Sequence, residues 1–531
     1  MDGNETNKLV KGALLLTLAG VISKLLSAGY RIPLQNLTGD VGFYAYQQVY
    51  PILGIASVLA LYGFPTAISK LAAERRQEGI GLSGRNFHIP ILFLMFGIAG
   101  CFFIFLLLNA HSLALLVGDV KLVSGYRVAA FVFLFIPLVA LWRGSFQGSQ
   151  EMKPTAVSQV GEQLVRVAII IAAAVYVYRT GVNIHRIGQA AGLASMAGLL
   201  MATLLLGWYM LRAKNNQTSR SDAEVPWQYY LRTIIIFGMV ASLNHMVLLI
   251  IQFADTFTFV PSLIKHGMTP LDAMRTKGIF DRGQPLIQMG TVLGSAFALA
   301  LVPSISAKRP DGGKKPVDDS IARALSFSFY LSLGAGLGLI LIFPETNLLL
   351  FQDTHGTQAL RVLVLSMILS PLAITAASIL QGLGFVKRTA GFILGAFFVK
   401  WIANQLFIPI WGMMGGAFAT ILSLMLLALV VLYELKRKLP GLRFLRSIHW
   451  RASLLASAGM TVYIFVIKKL LPEITSLSRP LLLGEVLFLA GTGALIYLVI
   501  LIRCHAFTEK ELGMVPFASK FIGLIRKDDR K

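Results

Sequence analysis

The sequence predicts an all-α integral membrane protein with about fourteen transmembrane helices. Hydrophobic residues make up 56% of the 531 and charged residues only 14%, against about 45–50% and about 25% in soluble domains. The apolar residues gather into fourteen runs, each near the roughly 20 residues that a spanning helix needs. The flanks of successive runs alternate between rich and poor in Lys and Arg. Apolar surface on this scale must face lipid, so the net charge of +23 reads as membrane topology and not as a nucleic-acid footprint.

The runs lie at 9–31, 43–69, 89–109, 123–144, 155–178, 188–211, 229–254, 278–303, 321–343, 361–384, 389–410, 412–435, 451–470 and 480–503. The first contains Lys11 and Lys24 and lacks a small-residue cleavage site, so it reads as a retained helix and not as a signal peptide. The second and eighth are long and carry internal Pro or Gly, which predicts kinks. Tyr44, Tyr46 and Tyr50 read as an aromatic belt at the outer interface. In the fifth run, Glu162 and Arg166 stand four apart, a spacing at which they pair on one helix face. The seventh carries Asn244, Gln252 and Asp255 in rough line, with Asp255 placed to cap the helix end. In the ninth, Gly334, Gly336 and Gly338 predict close helix packing and not a nucleotide loop. The eleventh carries Lys400 at its centre with Asn404 one turn on. Two cysteines, Cys101 and Cys504, make no disulfide framework.

Charge sets the orientation. With the N-terminus in the cytoplasm, 31 Lys and Arg fall in inner flanks and 12 in outer ones. The inner set includes Lys70, Arg75, Arg76 and Arg85, then Arg143 and Lys153, then Lys436 to Arg451 and the basic tail. Both termini are therefore expected inside. The outer connections are short, the longest spanning about 255–277. No extracytoplasmic domain fits there, so the chemistry belongs within the membrane.

The chain also repeats itself. Gln147, Gly148, Lys153, Thr155 and Ala156 recur as Gln381, Gly382, Lys387, Thr389 and Ala390, each 234 residues on. Pro65 to Lys70 (PTAISK) closes the second run and Pro303 to Lys308 (PSISAK) the eighth; Gly188 and Gly192 correspond to Gly412 and Gly416. Partners six spans apart make two parallel six-helix repeats, and substrate sites of such transporters lie between the halves near mid-membrane. The expected division is an N-lobe at 1–222, a C-lobe at 223–446, and two extra helices with a basic tail at 447–531.

Lys24 to Pro33 (KLLSAGYRIP), Gly63 to Lys70 (GFPTAISK) and Lys277 to Gly290 (KGIFDRGQPLIQMG) resemble the polysaccharide-biosynthesis and stage V sporulation protein B family. That family lies in the multidrug/oligosaccharidyl-lipid/polysaccharide flippase superfamily, to which lipid II flippases also belong. The resemblance covers essentially the whole chain, and KGIFDRGQPL is its most specific stretch. It implies two six-helix lobes in a V, alternating access, and transport of an undecaprenyl-linked sugar across a bacterial cell membrane. It also implies a lipid-accommodating groove at the last two helices. Cell-envelope synthesis enzymes are the partners it suggests.

Charged side chains within spans are costly and mark function by default. Lys24 and Arg31 stand seven apart, which places both on one helix face; the bland alternative for Arg31 is snorkelling to the outer headgroups. Asp281, Gln284, Gln288 and Thr291 form a polar stripe on the eighth run beside Arg282, with a purely structural contact of Asp281–Arg282 with neighbours as its rival reading. Lys24, Arg31, Asp281, Arg282, Gln284 and Gln288 are the candidate substrate residues, since Arg grips phosphate through a bidentate fork. Glu162, Arg166, Asp255, Lys400 and Asn404 are the candidate cavity or coupling residues. No Walker motif, HExxH, CxxC or nucleophile elbow is present, so no enzyme, metal or bound cofactor is expected. The drive is then a coupling ion, sodium or proton, or the membrane potential. A cation-coupled multidrug exporter is the main rival, but the membrane charges here are mostly basic, which favours anionic cargo. A membrane glycosyltransferase would need catalytic carboxylates and a large outer loop.

Overall fold

The computed structural model describes residues 3–78, 82, 84–212, 225–307, 314–471 and 478–507. The basic tail, Lys214, Arg220, Lys308 and Arg309 of the charge argument lie outside them. The chain is 90% helical and shows no strand among the described residues. Eleven stretches of these residues are long and apolar enough to cross a membrane. Two of them, Leu15–Gln77 and Val386–Lys438, each hold two expected spans, and the eighth expected run lies in the helix Gly283–Ala307. Each of the fourteen runs is thus helical.

The first span is α1 (Gly3–Gly29) and the second is α2 (Arg31–Val58), one π-helical turn, and α3 (Phe64–Gln77). Pro33 lacks an N–H and stands in the first turn of α2, just past the single-residue interruption at Tyr30. The helical course nevertheless runs past residue 31. It breaks at Gly39, with φ 66° and ψ −175°, a conformation that favours glycine. The third span is α4 (Ile89–Val117). It shows lipid-facing side chains such as Phe93 and Leu108, 70% and 75% exposed, and buries small ones, Ala99, Ala110 and Ala114.

Next come α5 (Val123–Phe131) and α6 (Ile136–Gly148), then α7 (Met152–Thr180) and α8 (Arg186–Arg212). The seventh span combines α9 (Trp227–Thr233), a π-helical stretch at Ile234–Val240, and α10 (Val247–Lys265). The eighth span is preceded by α11 (Pro270–Asp281), in the longest expected outer connection, and is itself α12 (Gly283–Ala307). Thr269 caps α11 by accepting from the Asp272 N–H, with Pro270 at the first helical position, a favoured start. Then follow α13 (Lys314–Leu341), α14 (Phe343–Phe351), α15 (Thr357–Val364) and α16 (Ser366–Gly382). The eleventh and twelfth spans form α17 (Val386–Lys438), reversed at Gly412 with φ 54°. After the short α18 (Phe444–Ser447), α19 (Trp450–Leu470) and α20 (Arg479–Arg503) complete the chain.

The repeat seen in sequence is a repeat of helix boundaries. Helix α6 ends at Gly148 and α16 at Gly382; α7 starts at Met152 and α17 at Val386, again 234 residues apart. Two of its motifs also meet in space. A Cβ at Gly144 would lie 2.5 Å from Ile68 Cβ, and one at Gly148 would lie 2.7 Å from Ala72 Cβ. The small residues of the QG segment therefore let α6 close onto the PTAISK helix.

The chain divides into two compact units: Met1–Met289 with Gly384–Ser423, and Gly290–Leu383 with Leu424–Lys531. In the second, α13 packs against α16, α19 and α20. Gly334 lies under the Tyr497 ring and Gly336 against Ile368, as the packing reading expects. Tyr497 donates to the Tyr330 carbonyl at 2.9 Å, and the His449 N–H donates to the Tyr330 hydroxyl at 2.8 Å. Lys468 on α19 pairs with the buried Glu345 of α14. The last two spans are thus built into the core of this unit.

Candidate functional site

Most of the charge singled out in the sequence converges inside the first unit. Arg282 sits at the break between α11 and α12, 1% exposed. Its Nε donates to Asp40 Oδ1 at 3.0 Å, and Nη2 meets the same oxygen. Gln35 Nε2 donates to it as well, at 3.0 Å. The fit needs two glycines. Gly39 supplies the turn that presents Asp40, and a Cβ at Gly278 would fall 2.1 Å from the Asp40 carbonyl oxygen.

One turn back, Lys277 Nζ holds both carboxylate oxygens of Asp281, at 2.5 and 2.6 Å, with both side chains buried. The Lys277 ammonium lies 5.3 Å from the Phe259 ring centre. Beyond it, Lys400 Nζ is 2.9 Å from Asp255 Oδ1. It also donates to Thr420 Oγ1 at 2.7 Å and to the Gly416 carbonyl at 3.0 Å. Asn404 Nδ2 donates to Asp255 Oδ1 and to Thr258 Oγ1, at 2.7 and 2.8 Å. Asp255 lies inside α10 and not at its end, so it is no cap. Its carboxylate is tied to α17.

Arg31 is the exception in this cluster. It is 0% exposed; the snorkelling reading is therefore wrong. Its guanidinium carbon stands 4.0 Å from the Tyr50 ring centre, with Tyr30 and Tyr46 close by. None of its three nitrogens has a partner in good hydrogen-bond geometry among the described residues; the Tyr30 hydroxyl and, farther off, the Asp281 carboxylate act on it, and no carboxylate there lies within ion-pair distance. Tyr30 and Tyr46 share a short hydroxyl–hydroxyl contact. Tyr44 and Tyr46 are 0% and 1% exposed. The aromatic belt read into this segment is therefore corrected: Tyr46 and Tyr50 line Arg31 together with Tyr30, while Tyr44 is buried beside Asp119 and Tyr126.

Lys24 behaves differently. Its side chain is exposed and lies within electrostatic reach of His245, whose ring stacks on Tyr62 at 4.6 Å. Lys24 and Arg31 thus differ in burial, although the backbone between them stays helical through Tyr30. The stripe expected on the eighth span is interrupted, since Asp281 ends α11 while Gln284 begins the next helix. Gln284 accepts from Gln252 at 2.7 Å, and Gln288 is half-buried. Asp281 and Arg282 do not pair with each other; both contact neighbours, Asp281 with Lys277 and Arg282 with Asp40.

A second cluster lies within the first six spans. Glu162 receives Arg143 at 2.9 Å and Arg166 at 2.5 Å. Arg143 also donates to Ser158 at 3.1 Å, and Arg166 to Ser57 at 3.2 Å. The expected Glu162–Arg166 pair is there, with a third member. Arg143, counted above among the inner-flank charges, is 0% exposed and serves this cluster. Asp40, Lys277 and Arg143 are what sequence reasoning missed. The i,i+4 spacing of Lys277 and Asp281 was a readable signal; nothing local marked Asp40.

Eleven helical stretches able to cross a membrane among the described residues, with ionisable groups paired among them, define a polytopic membrane transporter fold. Residues 9–308 match the family described as "Polysaccharide biosynthesis protein", and the chain belongs to it. It is 38% identical over 98% of its length to the uncharacterized membrane protein YabM of Bacillus subtilis, covering 97% of that protein. It is 26% identical over 79% of its length to the lipid II flippase MurJ of Bacillus subtilis, covering 80% of it. Among solved structures, "Lipid II flippase MurJ, inward closed conformation" aligns over 92% of this chain and 99% of that one, with a TM-score of 0.62 and 13% identity. The family expected from KGIFDRGQPL is the family found, and the protein is a multi-pass membrane protein.

Proposed function

We propose that this chain is an alternating-access flippase. Its cargo is an undecaprenyl-diphosphate-linked sugar, either a peptidoglycan precursor or an exopolysaccharide unit, carried from the inner to the outer leaflet of a bacterial cell membrane. Membership of the family and the likeness to a lipid II flippase support the class. The observation that carries the cargo is Arg31, a buried guanidinium with no partner in good hydrogen-bond geometry among the described residues. An unpaired buried cation is held at considerable cost, and a diphosphate matches its fork. Lys24, which is already accessible, receives the cargo first; Arg31 and then Arg282 engage it as the Asp40 contact opens. Two lobes, 1–222 and 223–446, rock about this line, and 447–531 accommodates the lipid tail. A coupling ion or the membrane potential supplies the drive, and both termini are cytoplasmic.

The test is depletion in cells, followed by identification of the undecaprenyl-linked intermediate that accumulates on the inner leaflet. Complementation by Lys24→Ala and Arg31→Ala at matched expression follows. Accumulation of one such intermediate, with both variants failing, supports the reading. Should depletion instead raise ethidium accumulation in a pump-deficient strain with no lipid intermediate, the multidrug-exporter reading replaces it.

A further inference from the structure

The surroundings of Lys400 are richer in oxygen than an ammonium can use. An ammonium has three protons to give. Here they meet the Asp255 carboxylate at 2.9 Å, the Thr420 hydroxyl at 2.7 Å and the Gly416 carbonyl at 3.0 Å. Two further oxygens, Asp255 Oδ2 and Asn404 Oδ1, are buried and make no hydrogen bond among the described residues. The Asn404 amide is oriented by its own partners: its nitrogen donates to Asp255 and Thr258, which leaves Oδ1 without a donor. Lys400 and Asn404 are 0% exposed, Asp255 is 1% and Thr420 4%. A carboxylate, an amide oxygen, a hydroxyl and a main-chain carbonyl gathered in a dry setting are the ligands that hard cations take. A small ion coordinates in all directions and satisfies five such oxygens; a tethered ammonium satisfies three.

We propose that Asp255, Asn404, Gly416 and Thr420 form a monovalent-cation site whose resident cation is the ammonium of Lys400. The chain therefore needs no free ion at this point, and removing the ammonium converts the site into one that binds sodium or lithium. The other charged groups facing it are Lys277 and Asp281 of α11, which hold each other and leave one negative charge, Asp255, to be balanced. The proposal does not rest on the cargo reading.

The experiment uses the purified full-length protein in detergent. Thermal stability is measured in lithium, sodium, potassium and choline chloride at equal ionic strength. The wild type should melt within about 1 °C in all four. Lys400→Ala should be destabilised in choline and regain at least about 3 °C, saturably, in sodium or lithium, as expected for a ligand that binds only the folded state. Lys400→Met, which refills the space without charge, and Lys400→Ala/Asp255→Asn, which removes the carboxylate, should not respond to the cation. The proposal is overturned if Lys400→Ala is folded yet shows no cation-specific gain. It is also overturned if wild type gains as much as the variant. If Lys400→Ala cannot be isolated in any of the four salts while Lys400→Ala/Asp255→Asn can, no free ion balances Asp255 and the proposal fails.

Discussion

Arg282 and Asp40 are 242 positions apart in sequence and joined by two donors on one carboxylate oxygen, and this joint has a calculable worth. Replacing Asp40 by Asn keeps the shape and removes the charge. Arg282, at 1% exposure, is then left buried with weakened partners. Breaking a buried pair on one side costs about 3–5 kcal/mol. Asp40 keeps 19% of its side-chain surface in solvent, which places the loss at the lower end, about 3 kcal/mol. At about 2 °C per kcal/mol or less for a chain larger than about 150–250 residues, Asp40→Asn should lower the melting temperature of the detergent-solubilised protein by up to about 6 °C. Arg282→Gln should cost a similar amount. The double variant should cost clearly less than the sum of the two, because two neutral amides replace two charges and neither is stranded. Fluorescence or light-scattering thermal ramps on the four proteins give the cycle directly. If the two losses add to within about 1 °C, Asp40 and Arg282 are not coupled, and the picture of a locked joint is wrong.

The remaining predictions concern other parts of the chain. Gly63 and Gly238 cross so closely that a Cβ at Gly63 would fall 2.4 Å from the Gly238 carbonyl oxygen; Gly63→Ala should therefore destabilise the protein by more than the few tenths of a kcal/mol of a surface change, read as a fall in melting temperature. Deletion from residue 447 strips Lys468 from the buried Glu345. The truncated protein should accordingly be unstable, and Glu345→Gln should recover part of the loss; full stability without that second change would show that the pair contributes nothing. A cysteine placed at 440, in a background lacking Cys101 and Cys504, should stay unlabelled by an impermeant reagent in intact cells. Labelling there would reverse the proposed orientation.

The helices were legible because lipid is an undemanding reader: a run of apolar residues of the right length has no other place to go. The positions of the breaks were less so. Pro33 is a residue that disrupts helices, but the break belongs to Gly39, one glycine among 49. The charged residues were correctly picked out as expensive, and Arg31, Asp255, Asp281, Arg282 and Lys400 do gather in one unit. Their partners were not legible. Single-sequence reasoning sees spacings of three and four, which is why Glu162–Arg166 was found. Lys277–Asp281 has the same spacing and was overlooked, because Asp281 had been assigned to the next helix. Asp40 sat in an apparent loop, and no local pattern links it to residue 282. The aromatic-belt error has a similar cause, since a tyrosine at the membrane interface and one buried inside the bundle look alike in sequence.

Arg31 separates stability from function most sharply. In the cluster of Arg31, Lys277, Arg282 and Lys400 with Asp40, Asp255 and Asp281, three ion pairs use three of the cations, and Arg31 is left over. Its contact with Tyr50 at 4.0 Å contributes up to about 2 kcal/mol when desolvated. A buried guanidinium with no carboxylate partner and only tyrosines around it forfeits several kcal/mol of hydration, so the contact does not balance the loss. A residue that serves only to hold the fold would not be kept on such terms; one that awaits an anion would. Arg31→Met retains most of the volume and removes the charge. The variant should melt at or above the wild-type temperature while complementation falls to background. Arg31→Lys should stay stable and transport partially, because an ammonium cannot form the bidentate fork. If Arg31→Met instead loses stability by the 3 kcal/mol or so expected of a paired buried charge, Arg31 braces the helices and the anion-binding role assigned to it is wrong.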